Sequence, residues 1–366
     1  MNGSIDYRPD RPRPWRARYT GPDQRQHSKS FRTKVEAQRW LRGEIGKLDR
    51  GEWMDPAGGK QLFGEYAPSW LAGRVKANEK TREWYEGILR SRVLPMFDHY
   101  QLRQIDAASI RGWVTAMIEE GLSPARIRHS HQVLRSILSQ AVGDGLIGNN
   151  PATDISLPRE HAREMLFLTP EQLRDLARHA DDVNEGEGIL ITFLGYSGLR
   201  WGELVALRFR SVDLLNRRIQ VKEAATEVGG RLVFGPPKNH RQRVVILPKS
   251  VVRLLEGRLA NSAPDDLAFT APGGGPLRNS NYRKNLWLPA VEALAAKHPH
   301  LGGLRIHDLR HTAASLAISS NANIKAVQRM LGHKHASMTL DRYSHLFTED
   351  LEALAERLDE VYRSAA

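Results

Sequence analysis

Between residues 61 and 150, apolar side chains recur every three or four positions. They do so over Leu62–Leu71, Glu79–Val93, Ala107–Glu120 and Ala125–Val142. A period near 3.6 builds amphipathic helices, so this block can bury its apolar surface only as a helical bundle. Ser123-Pro124 supplies the fourth helix with an N-cap and a first-turn proline. The signal differs upstream, where Trp15-Arg-Ala-Arg-Tyr19 alternates bulky and charged residues as a half-exposed strand does. Ser28–Arg32 and Ser4–Arg8 read as two more strands, with Gly21-Pro22-Asp23 as a turn. Thr33 and Glu36 form a capping box for a helix ending near Gly51, with Val35, Trp40, Leu41, Ile45 and Leu48 as its apolar stripe. Residues 1–60 are therefore expected to form a three-stranded sheet plus one helix.

Gly148-Asn-Asn-Pro151 ends the helical block, and residues 151–168 lack periodicity, which predicts an exposed linker. Thr169-Pro-Glu-Gln opens a third region, 169–346. It reads as helices, then strands over Arg218–Glu223, Arg231–Phe234 and Arg243–Leu247, then helices again. In the tail, 347–366, Phe347, Leu351, Leu354, Leu358 and Val361 make an apolar helical stripe. The stripe folds back on its own domain or docks on another protomer. The fold class expected is mainly α with small β-sheets: sheet plus helix, helical domain, mixed α+β domain.

The 366 residues include no cysteine, which excludes disulfides, thiol nucleophiles and cysteine-zinc sites. No apolar run approaches the roughly 20 residues of a membrane span, and the first residues lack the apolar core of a secretory leader. Lys and Arg total 54 against 42 Asp and Glu, a net +12, which points to a polyanion. The charge is sorted along the chain: residues 1–60 hold 14 basic and 8 acidic side chains, and the last twenty hold 2 and 6. Nucleic acid is thus expected at one end and a protein contact at the other. Arg16, Arg18, Lys29 and Arg32 fall on the first module, whose sheet can enter a major groove if its arginines face outward. Arg126, Arg128 and Arg135, with His129 and His131, form a basic row on the fourth helix that is suited to phosphates. An ordinary solvated surface is the alternative for both.

Four separated segments of the third region carry the chemistry. They are Gly195-Tyr-Ser-Gly-Leu-Arg-Trp-Gly-Glu-Leu204, the turn Gly235-Pro-Pro-Lys-Asn-His-Arg-Gln-Arg243, His307-Asp-Leu-Arg-His311, and the stretch from Leu331 through His333 and Tyr343 to His345. Two arginine forks, Arg200 and Arg310, can hold the oxygens of a phosphorane as its charge grows. Tyr343 is a feasible nucleophile at phosphorus, although a free phenol has a pKa of about 10. A nearby imidazole and a cationic field are expected to help it ionise, and Lys238 can protonate a leaving oxygen. So few carboxylates suit Mg²⁺ poorly. Singly, each residue has an ordinary reading: ion-pair arginines, a solvated turn lysine, or a core tyrosine beside Leu340 and Leu346. His307 and His311, four apart, would suit zinc, but the H-E-x-x-H glutamate is missing.

The order Arg200, Lys238, His307-x-x-Arg310, His333, Tyr343 closely resembles the catalytic domain of tyrosine site-specific recombinases, the phage integrase family. GLRWGEL, PPKNHRQRVV, HDLRHTAAS and LGHKHASMTLDRYSH carry the resemblance. The helical block resembles the family's core-binding domain. Residues 1–60 resemble the arm-type DNA-binding domain of larger integrases, through W-R-A-R-Y, S-K-S-F and T-K-V-E-A.

By this resemblance Tyr343 attacks a phosphodiester to give a 3′-phosphotyrosyl link and a free 5′-hydroxyl. Arg200 and Arg310 hold the oxygens, and Lys238 is the general acid. His307 lies beside the nucleophile as base, His333 bonds the phosphate, and Glu203 orients Arg200. The resemblance implies no metal, no ATP and no other cofactor. It implies a homotetramer on double-stranded core and arm sites, with a host DNA-bending protein and an excisionase as plausible partners, in the cytoplasm of a bacterial host at its nucleoid. A transposon-borne or host recombinase, a type IB topoisomerase and a non-catalytic DNA-binding regulator are the competing readings.

Overall fold

The computed structural model describes residues 3–51, 53, 58–75, 78–160, 164–237, 242–259, 263–344 and 350–364. Side chains 350–354 and 357 are outside the description, and so is all of Lys238. The chain divides into two compact units, Met1–Ala162 and Arg163–Ala366. Among the described residues, no helix is long and apolar enough to cross a membrane.

The first unit begins with an antiparallel meander of β1 (Gly3–Tyr7), β2 (Trp15–Thr20) and β3 (Gln26–Phe31). Helix α1 (Lys34–Asp49) covers one face, and Ala17, Tyr19, Ala37 and Leu41 form the core between them. The Thr33–Glu36 capping box is made in both directions. Strand parity separates the predicted cations. Arg16 and Arg18 pair with Ser30 and Ser28 on the face away from α1, whereas Lys29 pairs with Ala17 on the α1 side. Arg32 lies one residue past β3. The four predicted cations are therefore two arginines on one face and two cations elsewhere, because a strand alternates faces at every residue.

Helices α2 (Phe63–Ala72), α3 (Glu79–Ile88), α4 (Leu94–Phe97), α5 (Ala107–Glu119) and α6 (Pro124–Gly143) follow. They enclose a core that includes Phe63, Trp70, Phe97, Ile110, Leu134 and Ile137. The helix predicted over Glu79–Val93 instead passes from α3 through a π turn, Leu89–Val93, into α4. Leu94 N–H reaches back five residues to Leu89. Pro95 follows at once and has no N–H for the regular ladder, which favours the wider turn. The expected exposed linker is only partly exposed. Ala152 is buried in the helical core, and Ile155 and Leu157 pack against it. Irregular apolar spacing hid this burial from a periodicity search.

The second unit comprises α7 (Pro170–Val183), α8 (Gly188–Ser197), α9 (Trp201–Val205), β4 (Val212–Asp213), β5 (Arg218–Val221), β6 (Ala224–Val228), β7 (Arg231–Gly235) and β8 (Arg243–Ile246). Then come α10 (Lys249–Leu259), α11 (Asn279–Tyr282), α12 (Leu288–Lys297), α13 (Asp308–Ser319), α14 (Ile324–Leu331), α15 (Ser337–Tyr343) and α16 (Asp350–Ser364). Helix α8 is apolar all round and is the central helix, packed by α7, α10 and α13. The strands form a sheet of order β4-β5-β8 and a separate hairpin β6-β7. The hairpin partner β6 was not anticipated. A second π turn, Arg283–Trp287, again precedes a proline, Pro289. The tail stripe is described only in part: on α16, Leu358 and Val361 are exposed.

Candidate active site

Two left-handed glycines frame the site. Gly198 (φ 63°) ends α8 and Gly332 (φ 66°) ends α14, a backbone state that favours residues without a Cβ. Arg310, on α13, joins the two ends. Its guanidinium donates to the Gly198 carbonyl at 2.6 Å and to the Leu331 carbonyl. Arg310 is buried, 3% exposed. Burial first, then Arg200 and Arg243, push its pKa down to about 9, so it remains a cation at neutral pH.

Arg200 follows the first of these glycines at the start of α9 and donates to Glu203 Oε1 at 2.9 Å. Glu203 is 2% exposed and is also held by Arg243, at 2.8 Å to Oε1 and 2.7 Å to Oε2. Burial alone would raise this carboxyl; the bonds and charge of Arg243, then Arg200, instead hold it at about 2. Arg243 Nε donates to the Met330 carbonyl at 2.9 Å, tying β8 to the end of α14. Arg200 and Arg310 thus flank one carboxylate-anchored cluster.

His333 follows Gly332. Its Nδ1 lies 2.9 Å from Thr339 Oγ1, and its backbone carbonyl accepts from Gln328 Nε2. Burial first, then Arg310 and Arg200, lower its pKa to about 4. It is neutral at pH 7, with Nδ1 engaged by Thr339. Tyr343 ends α15 with 1% exposure, and its hydroxyl lies 2.7 Å from His311 Nδ1. The expected easing of its ionisation is corrected. Burial raises the phenol pKa, and the opposing charges of Arg310 and Arg342 do not overcome it.

His307 was expected beside the nucleophile. The ring bonded to the phenol is His311, and His307, exposed at the head of α13, packs edge-on against it with centroids 5.3 Å apart. Burial first, then His307, lowers the His311 pKa to about 4. Among the described residues, no group of three or more His, Cys, Asp or Glu could hold a metal ion. Lys238 lies outside the described residues, in the connection between β7 and β8. Sequence reasoning gave no catalytic role to Arg243, His311 or Thr339. His311 had a visible signal, since it follows Arg310 directly and sits four residues from His307. Arg243 had a weaker one, as the last cation of the sequence segment that holds Lys238.

The DNA-facing candidates are dispersed. Arg18 is bonded to Asp6 at 2.8 Å, and Arg16 donates to Ser28 Oγ. On α6, Arg128 Nε donates to the Pro158 carbonyl, and His131 is buried within the bundle. Arg126 and Arg135 are exposed; nine residues apart, they border the two edges of the solvent face rather than forming one row.

Three family models match the chain: the phage integrase family over residues 166–350, the phage integrase N-terminal domain over 3–50, and the phage integrase N-terminal SAM-like domain over 62–118. The putative prophage phiRv2 integrase of Mycobacterium tuberculosis is 30% identical over 345 residues, covering 90% of this chain and 88% of that protein. The integrase of Mycobacterium phage L5 is 28% identical over 351 residues, covering 92% and 91%. The structure of the Tn1549 transposon integrase in complex with transposon right end DNA superposes with a TM-score of 0.70. It is 21% identical and covers 82% of this chain and 100% of that one. A cationic pocket holding a buried tyrosine, on a chain matched along nearly its whole length, makes this protein a member of the phage integrase family, a tyrosine recombinase.

Proposed function

We propose that Tyr343 is the nucleophile with which this recombinase cuts and rejoins DNA at specific sites, integrating and excising a phage or mobile element. The observation that carries the reading is the convergence on one pocket of Arg200, Arg310, His333 and Tyr343, drawn from a stretch of more than 140 residues. The Tyr343 oxygen attacks phosphorus, and Arg200 and Arg310 take up the charge of the phosphorane. His333 donates from Nε2 while Thr339 donates to Nδ1. Lys238 protonates the departing 5′-oxygen, and Glu203 aims Arg200. The 3′-phosphotyrosyl bond conserves the energy of the diester, so a 5′-hydroxyl from a partner duplex reseals it without ATP. Exchange between two duplexes breaks four strands and thus calls for four protomers.

Residues 1–60 serve arm-type sites and residues 61–150 core sites, with 169–346 as the catalytic domain and the 347–366 tail as a protomer contact. The arm module supports a host DNA-bending protein and an excisionase as accessory partners, acting at the nucleoid of the host cell. Covalent capture tests the reading. The protein is incubated with DNA flanking its own gene, nicked near the exchange point. A band shift that survives denaturation, with a free 5′-hydroxyl at the break, is expected. Cleavage that leaves a 5′-linked protein, or none at any flanking site, would contradict it.

A further inference from the structure

We propose that His311 is a catalytic residue: its Nδ1 fixes the Tyr343 phenol in place and takes the phenol proton as the oxygen–phosphorus bond forms. The inference rests on the assignment of Tyr343 as nucleophile and deepens it.

Its basis is a short contact inside the domain. The Tyr343 hydroxyl and His311 Nδ1 are 2.7 Å apart, and both residues are buried, at 1% and 4% exposure. With the imidazole proton on Nε2, Nδ1 is the ring's one acceptor and the phenol donates to it. Burial keeps the ring neutral and the phenol protonated before DNA arrives. His311 immediately follows Arg310 on α13, so one helix presents both the phosphate clamp and the acceptor for the attacking oxygen. From the rest of its surroundings His311 meets the exposed His307 edge, the buried Asp308 carboxylate one turn earlier, Arg305 bonded to that carboxylate, and Arg342 on α15. Asp308 is the anion among them, and its charge favours the imidazolium that the step creates.

The balance is complete. The Oη–H bond breaks and its proton goes to Nδ1. The Oη–P bond forms, the bond from phosphorus to the 5′-oxygen breaks, and the leaving oxygen takes a proton from Lys238. Resealing runs the same transfers backwards, returning the proton from His311 to Oη. His307, further out at the head of α13, then faces the DNA rather than the phenol.

The experiment uses the full chain and a nicked suicide DNA site, reading adduct formation against single-site binding by gel shift. His311→Ala is expected to form the Tyr343 adduct about 100-fold more slowly with binding within about twofold. His311→Asn places an amide oxygen where Nδ1 was; it can hold the phenol but cannot take its proton, and it is expected to stay at least about 10-fold slow. Adduct formation by the alanine variant at the wild-type rate would overturn the proposal. Full recovery in the asparagine variant would reduce His311 to holding the phenol and overturn proton transfer. A readout that needs no folded His311 variant is the ¹⁵N resonance of His311 Nδ1 in the wild-type protein. It should report an unprotonated acceptor that shifts in Tyr343→Phe, and a protonated Nδ1 would contradict the proposal. If the wild type forms no adduct through Tyr343, the nucleophile assignment fails, whatever the His311 resonance shows.

Discussion

Arg243 grips both oxygens of Glu203, at 2.8 and 2.7 Å, with the Glu203 side chain 1% exposed. This pair fixes the carboxylate that Arg200 also uses, and it pins β8 against α14. Removing one partner would leave a buried charge with half its bonds. Arg243→Ala is therefore expected to destabilise the protein by about 3 kcal/mol, read by urea denaturation. A loss below about 0.5 kcal/mol, the scale of a surface ion pair, would contradict the burial argument.

His311 and His333 give stability a defined pH dependence. Both are held at about 4, against 6.5 when exposed. As pH falls below 6.5 the unfolded chain takes up protons that the folded state refuses, so stability falls until about pH 4. Glu203, held at about 2 against 4.5, extends the loss below pH 4.5. The Tm is expected to drop steadily from pH 7 to 4, and His333→Asn should flatten part of that slope. A Tm that is flat across this window in the wild type would be inconsistent with neutral buried rings.

Arg310 makes two backbone bonds at once, to Gly198 and Leu331. A lysine keeps the charge but lacks the planar fork, so it cannot span both carbonyls and still face a phosphate. Arg310→Lys should slow cleavage at least about 100-fold with DNA binding nearly intact, measured by single-turnover capture. Cleavage within a few-fold of wild type would show that only the charge matters.

Arg126 and Arg135 are the exposed cations at the two borders of the α6 solvent face. If each neutralises one phosphate, either alanine variant should reduce the slope of log K against log salt by about 0.9. Arg128, bonded to Pro158, should change the slope less. Equal slopes for all three variants and the wild type would remove α6 from the DNA interface.

The elements with strong local signals were legible in the sequence. The Thr33–Glu36 box, the strand at Trp15 and the 3–4 spacing of α5 and α6 all rest on neighbours along the chain. The Arg310–Tyr343 constellation was legible through its order. The contacts that set its chemistry were not. Arg243 and Glu203 are 40 residues apart, and His311 and Tyr343 are 32 apart, so no periodicity records either pair. Ionisation of Tyr343 was misjudged for the same reason: sequence displays the cations but not the burial that outweighs them. The π turns ahead of Pro95 and Pro289 were hidden because the apolar stripe runs through them unchanged.

Tyr343→Phe removes one oxygen and leaves the pocket's shape and charge in place. Measured on a nicked attachment site, the variant is expected to bind DNA as the wild type does and to form no covalent adduct. Digestion of the wild-type adduct should leave nucleotide on the peptide containing Tyr343. An adduct of normal yield from the phenylalanine variant, or nucleotide on any other peptide, would contradict the account.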